Sequence, residues 1–193
     1  MSTSDQTIEA YLADLSARQS TPGGGAVAAL TGAQAAGLIA MVGEFSDKTV
    51  DPASRELLLS SANAARDQFM ELADLDAKKF AALMDCYRNK SGIQDGLKGA
   101  AEAPIACLEL VVSLVPCIQK LEESGNQNLV TDTGIASSLL CATIEASEMN
   151  VRVNLRSIKD ETFAAHAIST IEQARSHLSS LSEVAQKIIE SLG

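Results

Sequence analysis

The stretch STPGGGAVAALTGAQAAGLIAMVG, residues 20–43, decides the fold. Its first half-dozen residues, Ser20 to Gly25, break any helix before them. The 18 residues from Ala26 to Gly43 then carry no charge. A charge-free run of that length has to be weighed as a membrane span. Gln34 and Thr31 interrupt it, Ala and Gly dominate it, and neither flank carries a Lys or Arg anchor. Small residues on most of its faces suit close helix packing, so the run reads as the buried central helix of a bundle.

The rest of the chain agrees. Over 193 residues, 46% are apolar, 21% charged and only 3% aromatic, with no Trp. Ala and Leu are strong helix formers, while the aromatic strand formers are scarce. The length suits one domain covering residues 1–193. A net charge of −10 repels phosphate backbones and anionic lipids, which argues against nucleic-acid and membrane partners. Cys86, Cys107, Cys117 and Cys141 show no CxxC spacing, so buried reduced thiols are expected rather than disulfides or a metal site. The N-terminal MSTSDQTIEAYLADL has no basic or apolar leader pattern. The expected location is cytoplasmic.

Working outward, a short amphipathic helix is expected over about residues 5–18, with Ile8, Leu12 and Leu15 on its packed face. After the central helix, Asp51-Pro52 reads as an N-cap followed by Pro at the first helical position. That opens a long helix to about Tyr87. Residues 94–123 read as helix, with Pro104 and Pro116 able to start, kink or end a segment. Two further helices cover about 132–157 and, capped by Asp160, about 160–191. The expected architecture is all-α: a single-domain antiparallel bundle of about six helices.

The long helix carries an anomaly. Leu58, Ala62, Ala65, Phe69, Leu72, Asp76, Phe80, Leu83 and Tyr87 follow one another at steps of three and four, so they share a face. Asp76 stands where that face asks for an apolar residue. Asp74 points the other way, with Asp67, Glu71, Lys78 and Asp85, and can pair with Lys78. Burial raises a carboxyl pKa unless a donor or cation compensates, which suits general acid–base work in a cleft. A core Asp satisfied by a helix N-terminus or an Arg is the structural alternative.

Other features could meet that carboxylate. Gly23-Gly24-Gly25 precedes a helix whose free N–H groups favour an anion or a carbonyl oxygen, but it lacks the ending of a P-loop. A plain flexible loop is the alternative there. Asn126 and Asn128 precede Thr131-Asp132 at a further helix start, where Asp132 reads first as an N-cap. Thr143, Ser147, Asn150 and Asn154 form an uncharged polar row beside an apolar face of Ile135, Leu139, Ala142, Ala146, Met149 and Val153. Such a row either makes interhelical hydrogen bonds or reads a heterocycle's polar edge. Glu148, Arg152 and Arg156 are spaced for surface ion pairs. His166 and His177 have no partner at ligand spacing, so no metal site is expected.

Several of these blocks together resemble the cyclodeaminase/cyclohydrolase family of folate enzymes. Thr21-Pro22-Gly23-Gly24-Gly25-Ala26-Val27-Ala28-Ala29 is similar to its Pro-Gly-Gly-Gly-Ser-Val-Ala-Ala signature. Met41-Val42-Gly43, Asp74-Leu75-Asp76-Ala77-Lys78-Lys79-Phe80, Gly125-Asn126, Thr131-Asp132 and Asn150-Val151-Arg152-Val153-Asn154-Leu155 follow in the family's order. The resemblance implies an all-helical homodimer that either hydrolyses 5,10-methenyltetrahydrofolate to 10-formyltetrahydrofolate or closes 5-formiminotetrahydrofolate with loss of ammonia. It implies Asp76 as the catalytic residue, with Pro22, Gly23, Gly24, Gly25, Asn126, Thr131, Asp132, Asn150 and Asn154 at the substrate. No cofactor or metal is implied; the folate is the substrate. The cyclohydrolase reading is preferred, because no formiminotransferase domain is fused to the chain. Lys48, Arg88 and Lys90 are further substrate-binding candidates: a basic segment at Arg88 and Lys90 would hold the folate tail, although the family's Leu-Pro pair is absent there, and Asp47-Lys48 stands where the family has a Gly-Lys or Gly-Arg pair. Ala26 replaces the family's usual Ser. A non-catalytic folate-binding module and a structural helical dimer are the readings from other classes.

Overall fold

The computed structural model describes residues 2–193. A 3₁₀ turn (Thr3–Asp5) leads into α1 (Ile8–Ser16), α2 (Gly24–Glu44), α3 (Pro52–Asn89) and α4 (Ile93–Ser124). A second 3₁₀ turn (Gln127–Leu129) precedes α5 (Val130–Leu155), α6 (Glu161–Arg175) and α7 (Leu178–Ser191). No strand occurs among the described residues. Helix starts follow the expected chemistry at two places: Asp51 accepts from the Ser54 amide at 2.9 Å and Asp160 from the Phe163 amide at 3.0 Å.

The charge-free helix is the centre. α2 packs against α3, α5 and α4, and twelve of its residues are buried. Its glycines set the register with α3. A Cβ on Gly32 would lie 2.6 Å from the Phe69 ring, and one on Gly43 would lie 2.5 Å from Leu58 Cδ2. A Cβ on Gly25 would strike the Asp76 carboxyl. The residue numbers in the three facing pairs have the same sum, the mark of antiparallel helices locked in one register. Asp76 therefore occupies a glycine hole of the kind that Leu58 and Phe69 fill with hydrocarbon. Both helices long and apolar enough to cross a membrane, α2 and α4, lie mostly inside the bundle, and packing accounts for their apolar character.

Several expectations need correction. On α1, Tyr11 is the buried residue, while Ile8 and Leu12 are turned outward. Pro104 and Pro116 both lie inside one continuous helix, α4. Pro removes one backbone hydrogen bond each time, and packing of the surrounding core, including Ile105, Cys107, Val115 and Cys117, overrides that cost. The final helix is two, divided at Ser176-His177, where no Gly or Pro marks the break. On α5 the faces are inverted. Ala136, Leu140, Thr143, Ile144, Ser147 and Val151 are buried, whereas Ile135, Met149 and Val153 are exposed. Glu148 is buried and held by Arg152 at 2.6 Å and Arg175 at 2.7 Å, so it is not a solvated surface pair with Arg156. Of the four free cysteines, Cys107 and Cys117 are buried and Cys86 and Cys141 only partly so.

Candidate active site

The start of α2, the second half of α3, the start of α4 and the end of α5 meet at one end of the bundle. They enclose a cavity of about 360 Å³ lined by Gly23, Gly24, Gly25, Asp76, Asn150 and Asn154 among others. Phe80, Leu83, Met84, Leu97 and Ala100 supply its apolar walls, and Tyr87 stands at its edge. Larger cavities of about 560 and 570 Å³ flank the N-terminal segment, and one of about 390 Å³ lies beside Asp47 and the start of α3. The Asp76 cavity is the chemical candidate, because it joins the glycine start of a long helix and two amide side chains to a carboxyl that accepts only from a backbone amide.

Asp76 is held above the usual carboxylate range. Burial is the leading cause, and a hydrogen bond from the Ala26 amide offsets part of it. That amide is one of the first-turn N–H groups of α2 that no intrahelical carbonyl can satisfy. Gly25 makes the approach possible, since any larger residue there collides with the carboxyl. Gly24 is under no such constraint: a Cβ there would rest 3.8 Å from the Asn150 amide, an ordinary contact.

Three of the four residues of the α5 polar row bond within their own helix, and the fourth, Ser147, lies against Cys107 of α4. Thr143 donates to the Leu139 carbonyl, Asn150 Nδ2 to the Ala146 carbonyl at 2.8 Å and Asn154 Nδ2 to the Asn150 carbonyl at 2.9 Å. Each of these bonds stays within the helix, and no donor among the described residues reaches Asn150 Oδ1 or Asn154 Oδ1. Two acceptors thus face the cavity with capacity to spare, which favours recognition of a polar ring edge over interhelical bonding.

The other expected site residues separate into groups. Pro22 lines the neighbouring cavity beside Asp74 rather than that of Asp76. Asn126 accepts from the Asn128 amide and donates to the Phe45 carbonyl at 2.7 Å, and its own amide donates to Ser46 Oγ. It ties the chain to the C-terminal end of α2, about 30 Å from the glycine end at 1.5 Å rise per residue. Lys48 is exposed in the turn at that same far end. Thr131 and Asp132 fall in the first turn of α5, and Asp132 is not its N-cap, a position taken by Leu129 without a side-chain bond. Within one chain none of these four lines the Asp76 cavity. Arg88 and Lys90 lie just beyond Tyr87 at the end of α3, both exposed, with Arg88 paired to Asp85.

Asp74 has a role the sequence did not announce. Its carboxylate accepts from the Ser2 hydroxyl, from the Thr3 amide at 2.7 Å and from the Thr3 hydroxyl at 2.6 Å, pinning the N-terminal segment to α3. Burial alone would raise its pKa, but these donors and the Lys78 charge outweigh burial and hold it below the usual range. Tyr11 was also missed, because the spacing of Ile8, Leu12 and Leu15 drew attention to the wrong face of α1.

An all-helical bundle with a raised-pKa carboxylate seated in the glycine start of its central helix defines the class of site. The chain belongs to the formiminotransferase-cyclodeaminase family, whose sequence profile matches residues 7–173. It is 28% identical to a methenyltetrahydrofolate cyclohydrolase of Methylorubrum extorquens, over 97% of each chain. It is 30% identical to the formimidoyltransferase-cyclodeaminase of Rattus norvegicus, over 88% of this chain but 35% of that protein. The crystal structure of a formiminotetrahydrofolate cyclodeaminase from Thermotoga maritima superposes with a TM-score of 0.91 at 29% identity, covering 98% of each chain.

Proposed function

We propose that this protein is an enzyme of folate one-carbon interconversion that hydrolyses the methenyl bridge of 5,10-methenyltetrahydrofolate, with Asp76 moving the proton. The observation that carries the reading is the pairing of a half-buried, raised-pKa Asp76 with the glycine start of α2, in a chain whose full-length relative is named for this reaction. The cationic bridge draws the carboxylate into its ionised form. Asp76 takes a proton from water as its oxygen bonds to the bridge carbon. It then returns that proton to N5 as the carbon–N5 bond breaks. The hydroxyl proton of the tetrahedral carbon leaves to solvent, giving 10-formyltetrahydrofolate. A group that must first accept and then donate works best with a pKa near the working pH, and burial moves Asp76 in that direction.

The alternative is ring closure of 5-formiminotetrahydrofolate. There the formimino group reacts as its protonated amidinium: N10 bonds to its carbon, Asp76 carries the N10 proton to the amino nitrogen, and the bond from carbon to that nitrogen breaks to release ammonia and leave the cationic bridge. The structural match to the Thermotoga cyclodeaminase favours it, and the same residues serve. In both readings Asn150 and Asn154 accept from the polar edge of the pterin, and Gly23, Gly24 and Gly25 let the flat ring approach backbone. Arg88 and Lys90, beyond the cavity edge, receive the carboxylates of the glutamate tail. The chemistry draws on these side chains and backbone amides and calls on no metal or cofactor.

The protein is proposed to act as a cytoplasmic homodimer, free of nucleic acid and membrane. The exposed apolar row of Ile135, Met149 and Val153 on α5, continuous with the cavity through Val153, supports burial against a second copy. Sedimentation should report twice the chain mass. Absorbance of the methenyl bridge with the purified protein tests the activity. Bridge loss above the spontaneous rate identifies the hydrolase. Bridge formation with ammonia release identifies the cyclodeaminase, and no acceleration of either sinks both.

A further inference from the structure

The outer side of α5 is one continuous exposed row. Ile135, Ser138, Ala142, Glu145, Met149 and Val153 all face outward, at steps of three and four. That spacing lets a second helix lie along the row over its whole length.

The row is also its own complement. Counted outward from Ala142, Ile135 and Met149 lie seven positions to either side, Asp132 and Arg152 ten, and Thr131 and Val153 eleven. In a two-fold interface each contact occurs twice, with the two residues exchanged between the copies. An antiparallel α5 pair crossing at Ala142 therefore sets Ile135 against Met149 twice and Asp132 against Arg152 twice, with a methyl side chain at the crossing point. Both charges are available for this. Asp132 holds no partner among the described residues, and Arg152 uses its Nε alone, on Glu148. Neighbouring registers lack the fit. Centred on Glu145, the pair would set that carboxylate against its own copy, a like-charge contact. Centred on Ser138, it would send Met149 opposite Gln127, outside the helix.

The same crossing carries the far end of one chain to the cavity end of the other. α5 runs antiparallel to α2: Gly24 faces Asn150, while Asn126 bonds to Phe45 beyond the end of α2. Thr131 and Asp132 are thus remote from Asp76 in their own chain. Val153, however, belongs both to the exposed row and to the lining of the Asp76 cavity. Its counterpart across the crossing is Thr131, in a first turn of α5 that no side chain caps.

We infer that two copies pair through α5, crossing antiparallel at Ala142, and that the partner's Thr131 and Asp132 complete the wall of each Asp76 cavity. The inference rests on the proposed homodimer and on Asp76 as the centre of its site. The Thr131 hydroxyl from the second copy stands at the Val153 side of the cavity, where it can donate to or accept from the polar edge of a heterocyclic substrate. The Asp132–Arg152 pair holds that wall in place. Each site is then built from two chains.

Register is tested without turnover, by a short bis-maleimide crosslinker on chains carrying Cys86→Ser and Cys141→Ser, in which the remaining Cys107 and Cys117 are buried. Ala142→Cys meets its own copy across an interaxial gap of about 8–10 Å and should crosslink to twice the chain mass. Ile135→Cys alone and Met149→Cys alone each stand about 21 Å along the axis from their own copies and should not. Both together should crosslink. A chain that sediments as a monomer, an unreactive Ala142→Cys, or single variants that crosslink as readily as Ala142→Cys overturns the pairing. The shared site is tested by complementation. Thr131→Ala with Asp132→Asn, which leaves Ile135 and Met149 to hold the pair, should lower kcat/KM roughly tenfold or more. Co-expressed with Asp76→Asn, it forms mixed dimers with one site wholly wild type, and turnover should recover to roughly a quarter of the wild-type value. Full activity in the Thr131/Asp132 variant, or no recovery on mixing, overturns the shared site. Absence of folate turnover in the wild type, with the Ala142→Cys crosslink intact, sinks the proposed function and leaves the pairing standing.

Discussion

Asp74 and Asp76 lie two positions apart on α3 and meet opposite surroundings. Asp74 is surrounded by donors from the N-terminal segment and is held below the usual carboxylate range. Asp76 sits in a glycine hole with one backbone donor and is held above it. The residue type is the same, so the difference comes wholly from what packs on each face of the helix. One carboxylate spends its hydrogen-bonding capacity on the fold, and the other keeps it for a ligand.

The largest expected effect separates the two by activity. Asp76→Asn should lower turnover by roughly 100- to 10,000-fold, the usual contribution of a positioned acid–base group, while a spectroscopic check of helicity shows the fold intact. Next comes Gly25→Ala, which forces a methyl into the Asp76 carboxyl. Overpacking should cost about 1–3 kcal/mol in chemical denaturation and disable turnover along with it. Gly24→Ala, whose Cβ would meet the Asn150 amide at an ordinary 3.8 Å, should be tolerated by comparison.

Asp74→Asn should cost less, about 1 kcal/mol, because Asp74 is only partly buried and its bonds are partly screened by solvent. Its pH dependence has a definite sign. A depressed pKa contributes stability that is present above the ordinary value of 3.8 and is lost as pH falls through the folded value. The wild-type advantage over Asp74→Asn should therefore disappear in acid. Asp76 has the reverse sign. Its raised pKa penalises the fold once the carboxyl ionises, and the penalty vanishes below the ordinary 3.8. Asp76→Asn, whose amide oxygen can still accept from Ala26, should melt higher than wild type at neutral pH, with no advantage in strong acid. A scan of melting temperature against pH for the two variants checks both signs.

Much of this contrast is legible in the sequence. The helical period of the α3 stripe marks Asp76 as misplaced, and the glycine run marks a helix start without side chains. What the sequence could not supply is which surfaces a face meets. Ile8 and Leu12 on α1, and Ile135, Met149 and Val153 on α5, satisfy an apolar spacing yet face outward, because periodicity does not distinguish a face for the chain's own core from one for a partner. Tyr11 went unseen for the same reason. Motif order along the chain likewise says nothing about position along the bundle. Asn126, Thr131 and Asp132 follow the glycine and Asp76 blocks in sequence, yet Asn126 bonds to the far end of α2, at Phe45 and Ser46. The break between α6 and α7 carries no Gly or Pro, so nothing local announces it.

The most direct measurement is the rate of methenyl-bridge change, followed by absorbance in both directions, for wild type, Asp74→Asn and Asp76→Asn at one pH near neutrality. Asp76→Asn should lose roughly 100-fold or more while Asp74→Asn stays within a few-fold of wild type. Equal losses in the two variants, or wild-type turnover in Asp76→Asn, would contradict this contrast.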